Sequence, residues 1–289
     1  MAGLQAIKNR IGAVNSIRKI THAMELVAAS KLRKARAEYE NVTSYDNLLE
    51  ETFESILSHL THSEITRLFP DNHVQSKLYI ILTSDLGLAG SYNFNVIKLA
   101  KNTIKKEDKL ILVGVKAINA LTEKYKDQIL MSMNIDSEES HQAIAKDLAK
   151  VVYHQYRHNH VGSIHVIYNL FINNLVQQET ITQIFPFNLL EMEKHNILHK
   201  QTSINSPVEF EPSAHVVLGE SIPLYINSKV YKTLASSKLS EMASRRSAME
   251  TATDNANSLI KDLNLSYNRR RQSNITQELN EIVAGADAV

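Results

Sequence analysis

Residues 2–42 read AGLQAIKNRIGAVNSIRKITHAMELVAASKLRKARAEYENV, and their spacing decides the fold. Leu4, Ile7, Ile11 and Val14 stand three, four and three residues apart. Ile17, Ile20, Met24 and Val27 repeat that spacing, as do Leu32, Ala35, Tyr39 and Val42. The blocks begin 13 and 15 residues apart, two heptads on average. Such a period keeps one apolar seam turned toward a partner helix and predicts a left-handed coiled coil with local irregularity. Leu49, Phe53, Ile56 and Leu60 extend the stripe, and no Gly or Pro interrupts it between Gly12 and Pro70. At about 1.5 Å per residue, a helix over residues 3–60 spans roughly 85 Å.

The partner is at the other end of the chain. Met242, Met249, Ala256 and Leu263 recur every seven residues, with Ala252 and Leu259 between them. The stripe resumes at Tyr267, Ile275, Leu279 and Ile282. This helix is expected from about Pro223, which a helix tolerates near its start, to Ala284. Each helix has too much apolar surface to stand in water alone, so the two are expected to pack on each other. The chain between them lets them run antiparallel. Separate packing of each helix in a bundle is the other arrangement, and it needs more short loops.

The middle differs in kind. Leu78–Thr83 and Lys109–Val115 are short apolar runs that read as buried strands, as does Ser163–Phe171. Glu179–Phe187 alternates as an edge strand does. Residues 92–105, 116–126 and 139–157 read as helices, and 188–212, with Pro207 and Pro212, as a connector. Strand–helix–strand order predicts an α/β domain with a partly parallel sheet. The expected division is residues 1–62 and 213–289 as coiled-coil helices and 76–190 as the central domain.

Composition bounds the chemistry. The 289 residues contain no Cys, which excludes disulfides, thiolate metal sites and cysteine nucleophiles and fits a reducing compartment. The start, MAGLQAIKNR, lacks the apolar run of a signal peptide. His158–Gln178 is free of Asp, Glu, Lys and Arg, but Asn159, His165, Asn169, Asn173 and Asn174 break it up as a membrane span. The net charge of +1 hides an uneven distribution: residues 1–40 hold eight basic and three acidic side chains, a balance of +5 that should seek an acidic partner surface.

Few groups look chemical. Ser84-Asp85-Leu86-Gly87-Leu88-Ala89-Gly90-Ser91 follows a strand and precedes a helix, where an α/β fold receives phosphate. It matches no phosphate-loop spacing and has no lysine, so a plain strand-to-helix turn is the favoured reading. His154, His158 and His160 have a spacing that could suit a metal, but no carboxylate completes the set, and a polar helix end is favoured. Glu138 and Glu139 suit a helix start. Lys31–Arg36 and Arg269-Arg270-Arg271 are basic runs on the long helices. Nucleic-acid binding is one reading of them, although near-neutral total charge and scarce aromatics argue for an acidic protein surface instead.

The two ends also resemble a known family. Residues 17–31, IRKITHAMELVAASK, look like the N-terminal signature of the γ subunit of F-type ATP synthases. Residues 248–256, AMETATDNA, 267–272, YNRRRQ, and 275–283, ITQELNEIV, look like its C-terminal signatures. Ser84-Asp85-x-Gly87-Leu88-x-Gly90 is a looser likeness in the middle. Three positions depart from the family: Leu86 stands where it usually has Arg, Ser91 where it often has Gly, and Arg246 where it often has a small apolar residue.

The resemblance implies an α/β fold with a long antiparallel coiled coil, the terminal helices pairing as a shaft around a central Rossmann-like domain. It implies a rotor stalk within a ring of three α and three β subunits, with ε and a membrane c-ring as further partners. Ion flow turns the c-ring, and the stalk couples that rotation to ATP synthesis or hydrolysis in the ring. The chain is then a non-catalytic subunit with no cofactor or metal. It lies peripherally on the cytoplasmic face of the bacterial inner membrane, attached only through the complex. Carried over residue by residue, Met24 faces a β subunit. Lys31 and Arg33 approach acidic loops of β. Arg245, Gln272, Thr276 and Glu278 set coupling, and Ala284–Val289 form the shaft tip. The rivals are a small-molecule or nucleotide-binding α/β enzyme, resting on the Gly87–Gly90 turn, and a coiled-coil nucleic-acid-binding protein.

Overall fold

The computed structural model of the protein describes residues 2–58, 72–135, 141–186, 211 and 214–286. Its elements are α1 (Ala2–Ser58), β1 (Lys77–Leu82), α2 (Tyr92–Thr103), β2 (Lys109–Val113), α3 (Val115–Tyr125), β3 (Ile129–Met133), α4 (His141–Arg157), β4 (Ser163–Phe171), β5 (Gln177–Phe185) and α5 (Ala214–Ala286). The expected helix start at Glu138 and Glu139, Leu60, the connector 188–212 apart from Glu211, and the tip residues Asp287–Val289 lie outside the described residues. No helix among the described residues is long and apolar enough to cross a membrane. The chain forms two compact units, Met1–Ser30 with Arg245–Val289, and Lys31–Ser244.

In the first unit the ends of α1 and α5 run antiparallel. The Thr253 hydroxyl donates to Thr21 Oγ1 at 2.9 Å, and Gly3 lies beside the Arg270 guanidinium. These partner numbers sum to 274 and 273, as an antiparallel register requires. Val14, Ala28, Met249 and Ala256 are buried in this seam. The seam corrects one reading of the sequence. Ile17, Ile20 and Val27 are 54%, 59% and 56% exposed, whereas Arg18, Thr21 and Glu25 are half-buried and Ala28 is buried. The heptad that begins Leu4, Ile7, Ile11, Val14 continues unbroken through 18, 21, 25 and 28 to Leu32 and Ala35. The apolar series at 17, 20 and 27 lies one residue off it, about 100° around the helix. A second apolar face therefore looks outward. Ile275, Leu279 and Ile282 are likewise exposed, because α5 continues past Gly3, where α1 begins.

The second unit is built on a five-stranded sheet in the order β3-β2-β1-β4-β5. Strands β1, β2, β3 and β4 are parallel and β5 pairs antiparallel with β4 at the edge. Alternation along β1 sends Leu78, Ile80 and Leu82 to one face and Tyr79 and Ile81 to the other. Against the first face pack Ile144, Leu148 and Val152 of α4, Phe53 and Leu57 of α1, and Ile226, Val230 and Leu234 of α5. Against the second pack Val96 and Ala100 of α2 and Ala117 and Leu121 of α3. Being covered on both faces explains the continuous apolar runs in β1 and β2.

Two features of this unit differ from the sequence expectation. Strand β3 is an additional strand, because its alternation of half-buried Ile129, Met131 and Met133 with exposed Leu130 and Ser132 lacks the β-branched run of its neighbours. Helix α5 begins at Ala214, which leaves Pro223 inside it. Proline leaves the carbonyl four residues earlier unpaired. That residue is Gly219, which is exposed.

Candidate functional site

In a doubly wound sheet a ligand enters at the C-terminal ends of the strands, where the strand order reverses. Here that point lies between β1 and β4, and the chain fills it with its own groups. Helix α5 presents hydroxyls at positions 236, 237, 240 and 244. Ser236 Oγ accepts the Phe171 N–H at 3.2 Å, and Ser237 Oγ meets the Tyr92 hydroxyl at 2.6 Å. Ser240 donates to the Asn169 carbonyl at 3.0 Å and Ser244 to the Ala89 carbonyl at 2.8 Å. The Asn169 amide donates to the Tyr92 carbonyl at 2.8 Å. The Ser237–Tyr92, Ser240–Asn169 and Asn169–Tyr92 bonds are buried, so these three are formed away from competing water.

The turn from Ser84 to Ser91 is equally committed. The Ser84 N–H donates to Asn93 Oδ1 at 2.9 Å, and its hydroxyl donates to the Leu86 carbonyl at 2.6 Å. Asp85 accepts the Val115 N–H at 2.8 Å on one carboxylate oxygen and the Ile135 N–H at 3.1 Å on the other. An anion is thus already held at the N-terminus of α3, and it belongs to the chain. Gly114, at φ +97°, brings that helix start so close to β1 that an added Cβ would stand 2.2 Å from the Thr83 carbonyl oxygen. These contacts support the plain-turn reading of residues 84–91. Leu86, Leu88 and Phe94 at its outer side are exposed.

The histidines at the end of α4 are placed by ordinary helix-end contacts. The rings of His154 and His158 stack with centroids 4.1 Å apart. His158 Nδ1 lies 2.9 Å from the His154 carbonyl, and His160 Nδ1 lies 3.0 Å from Gln155 Oε1. Among the described residues no three His, Cys, Asp or Glu side chains are grouped to hold a metal.

The strongest electrostatic feature joins α1 to α5 inside the second unit. Asp46, 1% exposed, accepts from Lys229 at 3.0 Å, Lys232 at 2.8 Å and the Ser228 hydroxyl at 3.0 Å. Lys229 also reaches Glu50 at 2.8 Å and lies over the Tyr225 ring. Burial opposes ionisation of Asp46, but the two ammonium groups outweigh it and hold its pKa below the usual value. Burial raises the Tyr225 phenol to about 12. A second pin joins three elements: Glu38 of α1 meets His141 of α4 at 3.0 Å and the Tyr231 hydroxyl of α5 at 3.2 Å. The His141 hydrogen bond lowers the Glu38 pKa, and burial beside Glu38 raises Tyr231 to about 12.

The residues singled out from the sequence fall into both units. In the first, Met24 is half-buried, Arg245 is buried, and Gln272, Thr276 and Glu278 are exposed. The Thr276 hydroxyl donates to the Gln272 carbonyl one turn back. In the second, Lys31 and Arg33 are exposed. Sequence reasoning missed Asp46 and the α5 hydroxyls. Both carried a signal: Asp46 follows Val42 by four on the heptad seam, and Ser236, Ser240 and Ser244 recur at intervals of four along one helix face.

Comparison with known proteins bears on the whole chain. Residues 3–289 match a family model described as ATP synthase. The ATP synthase gamma chain of Mycoplasmopsis agalactiae is 45% identical over 290 residues, covering 100% of both chains. That of Clostridium acetobutylicum is 37% identical over 291 residues, covering 100% of this chain and 99% of its own. Among solved structures, a chain of the Tetrahymena thermophila mitochondrial ATP synthase central stalk and c-ring superposes with a TM-score of 0.61 at 26% identity, covering 81% of this chain and 99% of that one. A chain of the Euglena gracilis mitochondrial ATP synthase, with a TM-score of 0.69 at 18% identity over 99% of this chain and 94% of that one, shares the fold.

Proposed function

The chain belongs to the ATP synthase γ family, and on that premise we propose that it is the rotor through which an ion-driven c-ring acts on a catalytic hexamer. It is a central-stalk subunit of an F-type ATP synthase. The observation that carries the mechanism is the helix pair of the first unit, with two apolar faces that its own seam leaves in solvent. One is Ile17, Ile20 and Val27 on α1, and the other is Ile275, Leu279 and Ile282 on α5. Exposed apolar stripes on long helices fit a surrounding protein collar.

Three α and three β subunits form that collar, and a single asymmetric stalk inside a threefold ring shows each β subunit a different side. Each contact favours one conformation of a catalytic site, so rotation moves every site through the same series. Met24, Arg245, Gln272, Thr276 and Glu278 act within the ring, while Lys31 and Arg33 meet acidic loops of β. The central domain, residues 76–190, meets ε and the c-ring, and the helices, residues 1–62 and 213–289, form the shaft. The complex holds the chain at the cytoplasmic face of a bacterial membrane, and nucleotide chemistry is confined to the ring. The committed donors of the Ser84–Ser91 turn and the filled end of the sheet support this reading over a nucleotide-binding enzyme.

Reconstitution tests it. Mixed with its α and β subunits, the chain should enter at one copy per hexamer and raise ATPase turnover. A hexamer that turns over equally well without it would overturn the proposal.

A further inference from the structure

The turn between β4 and β5 presents a leucine in an unusual way. Leu175 is 85% exposed, and Ile172 and Val176 beside it are about half exposed. The turn is nevertheless held firmly. Asn173 Oδ1 accepts the backbone N–H groups of Leu175 and Val176 at 2.9 and 2.8 Å. The Gln177 amide donates to the Asn173 and Asn174 carbonyls. From α1, Arg36 donates to Asn174 Oδ1 at 2.8 Å and lies over the Phe171 ring, 5.2 Å from its centroid. Phe171 packs against the cluster of Leu32, Ala35, Leu239, Met242 and Ala243. A large apolar side chain on a pre-ordered turn loses little entropy when it is buried by a partner.

Its surroundings indicate what covers it. Residues 171–178, FINNLVQQ, carry no charge, and the turn of α1 on which they rest carries Lys31, Arg33 and Lys34, all exposed, beside Arg36. We propose that Leu175 and the Lys31–Arg36 turn form one docking surface, taken by an apolar pocket rimmed with carboxylates on a neighbouring protein chain. The proposal rests on the stalk reading and extends it, with a β subunit of the hexamer as the occupant. An anionic lipid surface has the right charge, but one rigid knob lacks the broad apolar face with which a helix lies in a bilayer interface. A pocket that receives a single anchor fits it better.

Dissociation of the full chain from the α3β3 hexamer tests this, measured without ε for the native chain, Leu175→Ala and Leu175→Asp. Melting of each free chain checks folding, which an exposed turn position should leave unchanged. Leu175→Asp should raise the dissociation rate about tenfold, the equivalent of 1.4 kcal/mol, and Leu175→Ala by less. Added salt should weaken the native complex, as the basic flank requires. Unchanged dissociation for both variants, with a native chain that assembles normally, would overturn the docking surface and leave the stalk reading standing. A native chain that does not enter the hexamer would overturn the stalk reading itself. A defect seen only with ε present, or only as lost binding to vesicles of anionic lipid, would overturn the choice of partner.

Discussion

Asp46 Oδ2 and Lys232 Nζ meet at 2.8 Å across α1 and α5, at a point where the carboxylate is almost wholly removed from water. With Lys229 and Ser228 they form a polar layer in an otherwise apolar contact. Such layers fix which turn of one helix faces which turn of the other, because a slipped pairing would strand a buried charge.

Asp46→Asn should therefore destabilise the chain strongly. Lys232 would lose its carboxylate while Lys229 keeps Glu50. Breaking a buried pair from one side costs up to about 3–5 kcal/mol, less where water reaches the cation, so a loss of roughly 2–3 kcal/mol is expected. Urea unfolding of the free chain measures this. A loss near 1 kcal/mol would mean that water reaches the pair and that it does little to set the register.

Stability should fall at both ends of the pH scale. Asp46 and Glu38 have folded pKa values below their unfolded ones, so they stabilise the fold above about pH 4 and that contribution is lost as pH falls through the folded values. Tyr225 and Tyr231 are raised to about 12 from an ordinary value of about 10. The folded state keeps protons there that the unfolded state has released, so stability declines between about pH 10 and 12. Lys229 is raised too and adds to the alkaline loss. Urea midpoints across pH check this, and in Asp46→Asn the acid limb should be shallower.

Two glycines should respond in opposite senses. Gly114→Ala forces a Cβ to 2.2 Å from the Thr83 carbonyl oxygen at a φ of +97°, and should cost at least about 3 kcal/mol. Gly12 is an exposed residue of α1 with nothing within 4 Å of its Cβ position, and Gly12→Ala should stabilise by about 0.5–1 kcal/mol. Thermal melts of the two variants give the comparison.

Met24→Lys tests the placement of the shaft. A cation introduced beside a β subunit should form an unwanted contact and impair coupling more than assembly. The measure is the ratio of ion pumping to ATP hydrolysis in the reconstituted complex. Normal pumping by a fully assembled variant would show that Met24 does not face β.

What could be read from the sequence follows from how local each signal is. The heptad of Leu4, Ile7, Ile11 and Val14 and the runs at 78–82 and 109–113 are short-range patterns, and they identified both long helices and the strands buried on two faces. The seam between Val14 and Ala28 was read one residue off, because Arg18, Thr21 and Glu25 occupy it while Ile17, Ile20 and Val27 do not. The sequence holds two apolar stripes there, and hydrophobicity alone does not say which one faces α5 and which is left for other chains. Strand β3 was missed because its five residues, ILMSM, lack the β-branched run that marks β1 and β2. The hydroxyls of α5 and the carboxylate of Asp46 acquire meaning only through partners far along the chain, such as Ser240 with Asn169 and Asp46 with Lys229.

The row of serines on α5 has a mechanical consequence. Apolar side chains in contact slide past one another at little energetic expense, so a helix seated only on leucines can creep or roll under load. Hydrogen bonds at Ser236 and Ser240 tie α5 to Phe171 and Asn169 of β4, and those at Ser237 and Ser244 tie it to Tyr92 of α2 and Ala89 of the turn before it. These bonds are directional and spaced along the axis, so any twist of the helix against these elements must stretch several at once. They work as splines on an axle. A torque applied to the central domain would then reach the helix as rotation, with little taken up as slip.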